Sequence, residues 1–346
     1  MKRQSLWLLP IIFILSLFLF GPTRLLSRAY SNLGWVSLMQ GSVDQKTSDS
    51  SAINWFDTAL RANPQNRSAQ RGLGFARLQQ GDDVGAVDAW QLVDNMGQEL
   101  YHIGRQAERA RLQRQLENQK QDKAVGEKVT DRSVEWYNLS TQVDPNLRDA
   151  WYQIGQQFEQ QQDWPAAEEA YLAGLDATNG LQIQRSDLLF WQARLIELYH
   201  TPRDLAGALA TYDKAVTQDD FGDPWVRAQT HYRRGEILRE QGRVDEASRA
   251  YERVVALRPK SYWALTNLAM LAQTEKGNIA AAKSYLSTAI EVNPKLHVAY
   301  RLLAQIYEQE GDLLRAKDLY QEALNRNEDD SIAREQIRLL TDELKK

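Results

Sequence analysis

The chain has 346 residues, of which 43% are hydrophobic and 25% charged, so it can bury the core of two average globular domains or of one extended repeat array. It contains no cysteine, which excludes disulfides, cysteine-ligated zinc, a thiol nucleophile and a lipid anchor on an N-terminal cysteine. The formal charge is -4, and because residues 1–29 hold four basic residues and no acidic one, the remainder is acidic and gives no support for nucleic-acid binding.

The N-terminus begins with an apolar run, Leu6–Phe20, which reads LWLLPIIFILSLFLF. Such a run predicts a single membrane span, a cleaved signal peptide or a buried soluble helix. We favour the span, because the candidate cleavage site Ser27–Ala29 lies nine residues beyond the run and contains an arginine. Residues 1–29 are therefore expected to form a membrane anchor or signal segment.

Basic residues stand on both sides of this run, Lys2 and Arg3 before it and Arg24 and Arg28 after it. The charge bias across the predicted span is therefore weak, but a leading span with a basic start favours a cytoplasmic N-terminus. We expect a single-pass membrane protein whose remaining part is extracytoplasmic, which means periplasmic or on the cell surface if the source is bacterial.

After residue 30 the sequence repeats itself with a period near 34 residues. The clearest copy begins at Ala299 and reads AYRLLAQIYEQEGDLLRAKDLYQEALNRN. Its recurring positions are Tyr300, Leu303, Ala304, Tyr307, Gly311, Ala316, Tyr320, Ala323 and Leu324. The pattern resembles the consensus of the tetratricopeptide-repeat (TPR) family, which implies helix-turn-helix units stacked into a right-handed superhelical solenoid.

Small residues recur at Gly155, Ala247 and Ala316, where the two helices of a repeat are expected to cross. Only a hydrogen or a methyl group lets two helix backbones approach closely. Large residues such as Trp151 and Tyr171 are expected to fill the space between successive helices. The spacing of small and aromatic residues therefore predicts stacked helix pairs.

Eight such repeats occupy about residues 30–330. The third has a first helix of about twice the usual length, about residues 98–123, which predicts a solvated protruding helix or a docking edge. Residues 331–346 place apolar residues on one side and predict a capping helix, because the last repeat would otherwise leave an apolar face bare. The predicted fold is all-α, a TPR solenoid with one N-terminal transmembrane helix and a C-terminal capping helix.

In TPR proteins the first helix of each repeat lines a concave surface, and the resemblance implies the same surface here. Transferring that register predicts a mixed aromatic and acidic-to-neutral groove, suited to an extended or helical peptide segment. The groove residues are Tyr152, Gln156, Glu159, Phe190, Glu197, Tyr232, Glu236, Arg239, Trp263, Met270, Arg301, Gln305 and Glu308. For each of them a solvated or packing role is the alternative.

The groove does not match the TPR co-chaperones, which grip a C-terminal carboxylate with lysines and asparagines. The corresponding positions hold Tyr152, Gln156, Tyr232 and Glu236, which cannot supply a positive clamp. The four histidines are far apart, and no phosphate loop, dinucleotide fingerprint or nucleophile turn is present. We expect neither catalysis nor a cofactor or metal.

The layout of anchor and array resembles bacterial membrane-anchored TPR scaffold proteins. It implies a membrane-tethered scaffold that binds partner proteins, themselves membrane or envelope proteins, in its concave groove and assists assembly of a complex. Two alternatives stay open, a permanent structural subunit of a larger membrane complex and an accessory module for a polysaccharide polymerase, ligase or export system. A glycan ligand has no support, because Trp90 and Trp151 fall on packing positions.

Overall fold

The computed structural model describes residues 22–41, 50–120, 132–200, 203–274 and 277–345. The chain divides into two compact units, residues 1–181 and 182–346, and each is described by itself. The described residues form seventeen helices, and the one extended pairing among them is an isolated bridge between Leu147 and Asn179. The prediction of an all-α chain is confirmed for the described residues.

The first unit contains eight helices that pack as four consecutive pairs. They are α1 (Pro22–Gly41), α2 (Ser50–Ala62), α3 (Arg67–Gln79), α4 (Asp83–Trp90), α5 (Met96–Lys120), α6 (Ser133–Val143), α7 (Arg148–Gln160) and α8 (Trp164–Asp176). Helix α5, with 25 residues, is the extended first helix that was predicted for the third repeat. Its predicted end near residue 123 lies outside the described residues.

The second unit contains four further pairs and one final helix. They are α9 (Arg185–Tyr199), α10 (Leu205–Gln218), α11 (Pro224–Glu240), α12 (Val244–Leu257), α13 (Tyr262–Thr274), α14 (Ile279–Val292), α15 (His297–Gln309), α16 (Leu313–Arg326) and α17 (Ser331–Glu343). The eight pairs agree with the predicted number of repeats. The right-handed superhelical path of the whole array stays a prediction.

The turn inside a pair is encoded by two residues, one with a left-handed backbone and one that caps the next helix. At Gly311 the backbone φ is 84°, which glycine adopts without steric cost, and the Asp312 carboxylate then accepts a hydrogen bond from Arg315 N at 3.2 Å. The same turn occurs at Gly81–Asp82, Gln162–Asp163 and Gly277–Asn278. Such turns keep the connections short, so each second helix folds back onto its partner.

The helices of a pair cross at a small residue that faces an aromatic ring. A Cβ atom added at Gly155 would lie 2.3 Å from the Tyr171 ring, and one at Gly235 would lie 2.7 Å from the Tyr251 ring. Ala247 and Ala316 are also fully buried. The prediction that these small residues lie at the crossings is confirmed, and any larger side chain would force the helices apart.

The predicted capping helix is confirmed as α17. Its inner face buries Ala333 and Leu340 in the cluster that also contains Tyr320. At its start the Asp330 carboxylate accepts from Ala333 N at 3.0 Å and lies 3.1 Å from His297 Nδ1. The helix is thus attached to the preceding pair by both apolar packing and a buried carboxylate.

The predicted boundary between anchor and array, at residue 29, is wrong. Helix α1 begins at Pro22, and its Ser27 is fully buried and donates a hydrogen bond to Ala59 O at 2.7 Å. Residues 22–29 therefore belong to the first helix pair. Within the described ranges, no helix combines the length and the apolar character needed to cross a bilayer. The predicted span Leu6–Phe20 lies outside the described residues.

Candidate partner-binding surface

The predicted groove residues all lie on first helices of their pairs, namely α7 in the first unit and α9, α11, α13 and α15 in the second. Stacked repeats present their first helices on one side, so residues at equivalent positions of neighbouring first helices share a face. The structure brings some of them together around buried tyrosines, places two inside the core, and leaves a smaller set accessible.

On α7 the three predicted residues surround one tyrosine of α8. The Tyr171 hydroxyl donates to Glu159 Oε1 at 2.8 Å and accepts from Gln156 Nε2 at 2.6 Å. The Tyr152 ring stacks on Tyr171 with 6.4 Å between centroids. Gln156 and Glu159 therefore contribute to the packing of this pair as well as to its surface.

On α9 both predicted residues are buried, so their assignment to an accessible groove is wrong. Phe190 is 2% exposed and contacts the rings of Tyr212 and Trp225, at centroid distances of 6.1 and 6.2 Å. Glu197 is also 2% exposed, and its Oε2 accepts from the Tyr212 hydroxyl at 2.9 Å. Two guanidinium groups cover its other oxygen, Arg233 at 3.4 Å and Arg203 at 3.7 Å.

On α11 the predicted residues form a hydrogen-bonded group with α13. Glu236 accepts from the Tyr251 hydroxyl and from Asn267 Nδ2, the latter at 2.7 Å. Arg239 lies 3.5 Å from the second oxygen of Glu236, and the half-buried Tyr232 packs beside Tyr251. The acceptor atoms of Glu236 are thus used within the protein.

On α15 two of the three predicted residues have internal partners. Glu308 Oε2 accepts from the Tyr320 hydroxyl at 2.7 Å. Arg301 Nε lies 3.4 Å from the buried Asp330 carboxylate, so it helps to hold α17. Gln305 lines a cavity on the accessible side.

A tyrosine-to-glutamate hydrogen bond therefore recurs through the chain, and sequence reasoning did not find it. The pairs are Tyr137–Glu108, Tyr171–Glu159, Tyr212–Glu197, Tyr251–Glu236 and Tyr320–Glu308. Burial and the adjacent carboxylate raise the pKa of each of these tyrosines well above its usual range. Each hydroxyl is consequently a permanent donor, and the spacing of 12 or 15 residues from glutamate to tyrosine is the signal that could have revealed four of them.

A cavity of about 410 Å³ opens between α11 and the start of α13. Trp263 is 52% exposed at this cavity, which is also lined by Tyr232 and by the guanidinium groups of Arg233 and Arg258. Arg258 is exposed and makes no ion pair with another described residue. Because Glu236 is already hydrogen-bonded, the cavity offers aromatic surface and hydrogen-bond donors.

A second cavity, of about 490 Å³, contains the remaining predicted residues Met270, Gln305 and Glu308. Its other polar lining consists of amides and hydroxyls, with Gln273 Nε2 donating to Gln309 Oε1 at 3.1 Å. No basic residue lines it among the described residues. The two cavities therefore differ in charge, and only the first, called the Trp263 cavity below, favours an anion.

The described residues contain no group of three or more His, Asp or Glu side chains placed to hold a metal ion. The carboxylates of the accessible face are held by tyrosines, amides or arginines, as described above. What the surface offers chemically is therefore recognition, through exposed aromatic rings, amides and guanidinium groups.

The tetratricopeptide-repeat family model matches residues 50–93, 228–261 and 271–331. A curated human relative, Tetratricopeptide repeat protein 7B, is 29% identical over 93 residues, which are 27% of this chain and 11% of that protein. The chain thus matches about a tenth of the length of this relative.

Parts of the chain also match solved structures. A crystal structure of MamA is 21% identical, with 52% of this chain and 92% of that chain covered at a TM-score of 0.42. The first TPR of Spaghetti (RPAP3), solved with the HSP90 peptide SRMEEVD, is 23% identical, with 34% and 94% covered at a TM-score of 0.33.

The match over residues 228–261 includes the Gly235–Tyr251 crossing described above, whereas the Gly155–Tyr171 crossing lies outside the matched residues. Tetratricopeptide repeats mediate protein–protein interactions and are generally non-catalytic. From its repeated helix pairs and the family-model matches, the chain contains tetratricopeptide repeats.

Proposed function

We propose that the protein is a membrane-tethered scaffold that binds a segment of a partner protein along the first helices of its repeats and so assists assembly of a membrane or envelope complex. The apolar run Leu6–Phe20 is the tether, and the repeats lie on the extracytoplasmic side. The partner segment carries an aromatic or aliphatic side chain next to an acidic one.

The Trp263 cavity is the observation that carries this proposal. The Trp263 indole is half exposed on a first helix, and Trp and Arg are enriched among residues that dominate binding energy. The equivalent ring two pairs earlier, Phe190, is buried by Trp225, so exposure is not a necessary property of this position. Arg258 would pair with the acidic side chain and Trp263 would contact the apolar one.

Site-specific photocrosslinking in native membranes tests the binding surface. A benzophenone amino acid in place of Trp263 is expected to capture one discrete partner, and Arg258→Glu in the same chain is expected to abolish that adduct. The control places the benzophenone at Leu314, which is 67% exposed on the second helix α16. Identical adducts from positions 263 and 314, or an adduct at 263 that survives Arg258→Glu, would contradict the proposal.

The tether is tested separately. The full chain is expected to stay in the membrane pellet after alkaline carbonate washing and to be released only by detergent. Protease added to intact cells, after permeabilisation of any outer membrane, is expected to digest the repeats. Release by carbonate would overturn the tether without affecting the binding surface, and protection of the repeats would reverse the orientation.

A further inference from the structure

The outward side of α1 exposes four large apolar residues to solvent, with Asn32 as a polar residue among them. Leu26, Leu33, Val36 and Met39 are 52%, 45%, 52% and 66% exposed. At 100° per residue these four positions, with Ala29 among them, fall within one side of the helix. The opposite side is the packed one, where Ser27, Ser31 and Leu38 are buried. We call the exposed set, Leu26, Leu33, Val36 and Met39, the α1 stripe.

The charged residues of α1 itself have one sign. Helix α1 contains Arg24 and Arg28 and no acidic residue, and the first acidic residue of the chain is Asp44. The 305 residues after α1 hold all 46 acidic residues. By helical spacing the two arginines lie on the flank of α1 between the stripe and the packed side. A surface that covers the α1 stripe would therefore also contact these two arginines at the edge of the stripe.

These arginines line a polar cavity of about 360 Å³ at the start of α1. A third guanidinium, that of Arg67, lies in the same cavity, and the remaining lining is supplied by Asn63, Gln65 and Asn66. No carboxylate lines it among the described residues, and Arg67 pairs outside the cavity with the exposed Asp94 at 2.5 Å. Guanidinium groups gathered in this way, with amides beside them, suit a phosphate oxygen cluster.

Hydrogen bonds hold the wall of the cavity together. The Asn66 side chain donates to Ser27 Oγ at 2.7 Å and to Ser27 O at 3.2 Å, and it accepts from Ala69 N at 3.2 Å. These bonds tie the turn between α2 and α3 to α1. The three arginines are consequently carried on elements whose relative position is fixed.

We propose that α1 lies in the surface of an anionic phospholipid membrane, with its stripe at the boundary of headgroups and acyl chains and the arginine cavity occupied by a lipid phosphate. An apolar stripe with flanking arginines is the chemistry of an interfacial helix. The described part of α1 follows the apolar run Leu6–Phe20 with only Gly21 between them in sequence, so it lies next to the point where that run would leave the bilayer. The inference deepens the tether part of the proposed function but uses different residues.

A fluorescent label on the stripe tests this arrangement, and the absence of native cysteine makes single-site labelling direct. Val36→Cys in the full chain carries an environment-sensitive dye, and the control label is at Ala256→Cys, an exposed site on α12. Vesicles contain phosphatidylcholine alone or phosphatidylcholine mixed with phosphatidylglycerol. A blue shift is expected for the label at position 36 in the mixed vesicles and not for the label at 256.

The double variant Arg24→Gln/Arg28→Gln is expected to lower the affinity for phosphatidylglycerol roughly 25-fold, about fivefold for each arginine. The variant Arg249→Gln/Arg253→Gln, which has the same spacing on the exposed side of α12, is expected to have no effect. Equal effects of the two double variants would show a non-specific charge dependence and overturn the phosphate assignment.

The outcomes separate this inference from the tether. If the chain floats with both kinds of vesicle and the label at 36 does not shift in either, the tether stands and the α1 interface fails. If the chain does not float with phosphatidylcholine but floats and shifts with phosphatidylglycerol, the interface stands and the tether fails.

A lipid-independent shift that grows with protein concentration would identify a second copy as the occupant. A shift on adding inorganic phosphate alone would identify a free anion. Either of these last two results overturns the proposal.

Discussion

The first and last described helices differ in what they present to their surroundings. Helix α17 buries Ala333 and Leu340 on one side, and charged residues occupy much of the rest, with Arg338 Nη2 and Glu335 Oε1 at 2.6 Å. Helix α1 is longer but has only two charged residues, both arginines, and its outward side exposes Leu26, Leu33, Val36 and Met39 beside the polar Asn32. Helix α17 also exposes Ile332 and Leu339, but it carries both acidic and basic residues, whereas the charged residues of α1 are arginines alone.

The comparison teaches that a helix at the end of a repeat array need not be a cap. A repeat leaves one face bare at each end of its array, and a polar outer side is the usual way to solvate it. Here that solution is used for α17 and not for α1, so substitutions at the two helices should have opposite consequences for stability and binding.

The largest expected effect is on α17, from Leu340→Ala. Leu340 is 2% exposed and packs in the cluster with Tyr320, so its truncation should destabilise α17 by about 2–5 kcal/mol through lost burial and a cavity. Hydrogen exchange of α17 amides measures this opening free energy. Leu339→Ala, at a residue 45% exposed, is the matched control and should cost less than about 1 kcal/mol. Equal losses for the two variants would show that α17 is not packed as described.

The next effect concerns the polar attachment of α17. Asp330→Ala removes the bond to Ala333 N and leaves Arg301 and His297 without their shared carboxylate, so it should cost about 1–3 kcal/mol. Asp312→Ala removes only the cap bond to Arg315 N and should cost about 1 kcal/mol. Amide hydrogen exchange in α17 measures the loss of stability in Asp330→Ala, and exchange in α16 measures the loss in Asp312→Ala. If Asp330→Ala costs no more free energy than Asp312→Ala, Arg301 and His297 do not contribute to the attachment of α17.

A smaller effect is expected from pH. Burial would raise the pKa of Asp330, but the Ala333 amide, His297 and Arg301 outweigh it and hold that pKa below its usual range. A folded-state pKa below the unfolded value stabilises the protein above the unfolded pKa, and this stabilisation is lost as pH falls through the lower folded value. The protection of α17 should therefore fall below about pH 4. Asp330→Asn should remove this acid-dependent step, and an unchanged profile in that variant would assign the step to another carboxylate.

The smallest effects are expected from arginines on the exposed sides of both helices. Arg338→Ala breaks ion pairs whose partners are more than half exposed and should change stability by less than about 0.5 kcal/mol. Arg24→Gln/Arg28→Gln should be equally neutral in thermal unfolding of the detergent-solubilised chain. The comparison predicts that the second variant, unlike the first, loses its response to anionic vesicles. A loss of stability in the α1 variant would mean that its arginines serve packing.

Much of the fold could be predicted from the sequence because repeat stacking depends on short-range rules. A small residue sixteen positions before an aromatic one, as in Gly155 and Tyr171 or Gly235 and Tyr251, encodes one helix pair wherever it occurs. The capping helix was also readable, since apolar residues on one side of a charged helix require a partner.

The accessibility of individual groove residues could not be predicted in the same way. Phe190 and Trp263 both stand twenty-two positions before a helix-packing tyrosine, Tyr212 and Tyr285, yet their exposures are 2% and 52%. The difference comes from Trp225, which packs on Phe190 from the following first helix. Register specifies the face on which a side chain lies, whereas its exposure depends on neighbours from another repeat.

The tyrosine-to-glutamate bonds escaped prediction for a related reason. Glutamates 12 and 15 positions before the tyrosine both reach it, because positions three apart share a helix face, so no single spacing recurs. The membership of residues 22–29 in the first helix pair was missed because the apolar run ends at Gly21–Pro22, which invites a boundary after it.

The crossing contact also survives changes in the length of the turn that precedes it. The small residue and the ring that it contacts are sixteen positions apart in Gly155–Tyr171 and Gly235–Tyr251. In the first pair Gly34 contacts Phe56, twenty-two positions later, and in the third pair Gly104 contacts Tyr137, thirty-three positions later. The contact depends on where the second helix packs and not on the length of the connection before it. The turn inside such a helix pair can therefore accept an inserted sequence. An epitope, a fluorescent domain or a second binding module could be grafted there while the repeat keeps its register.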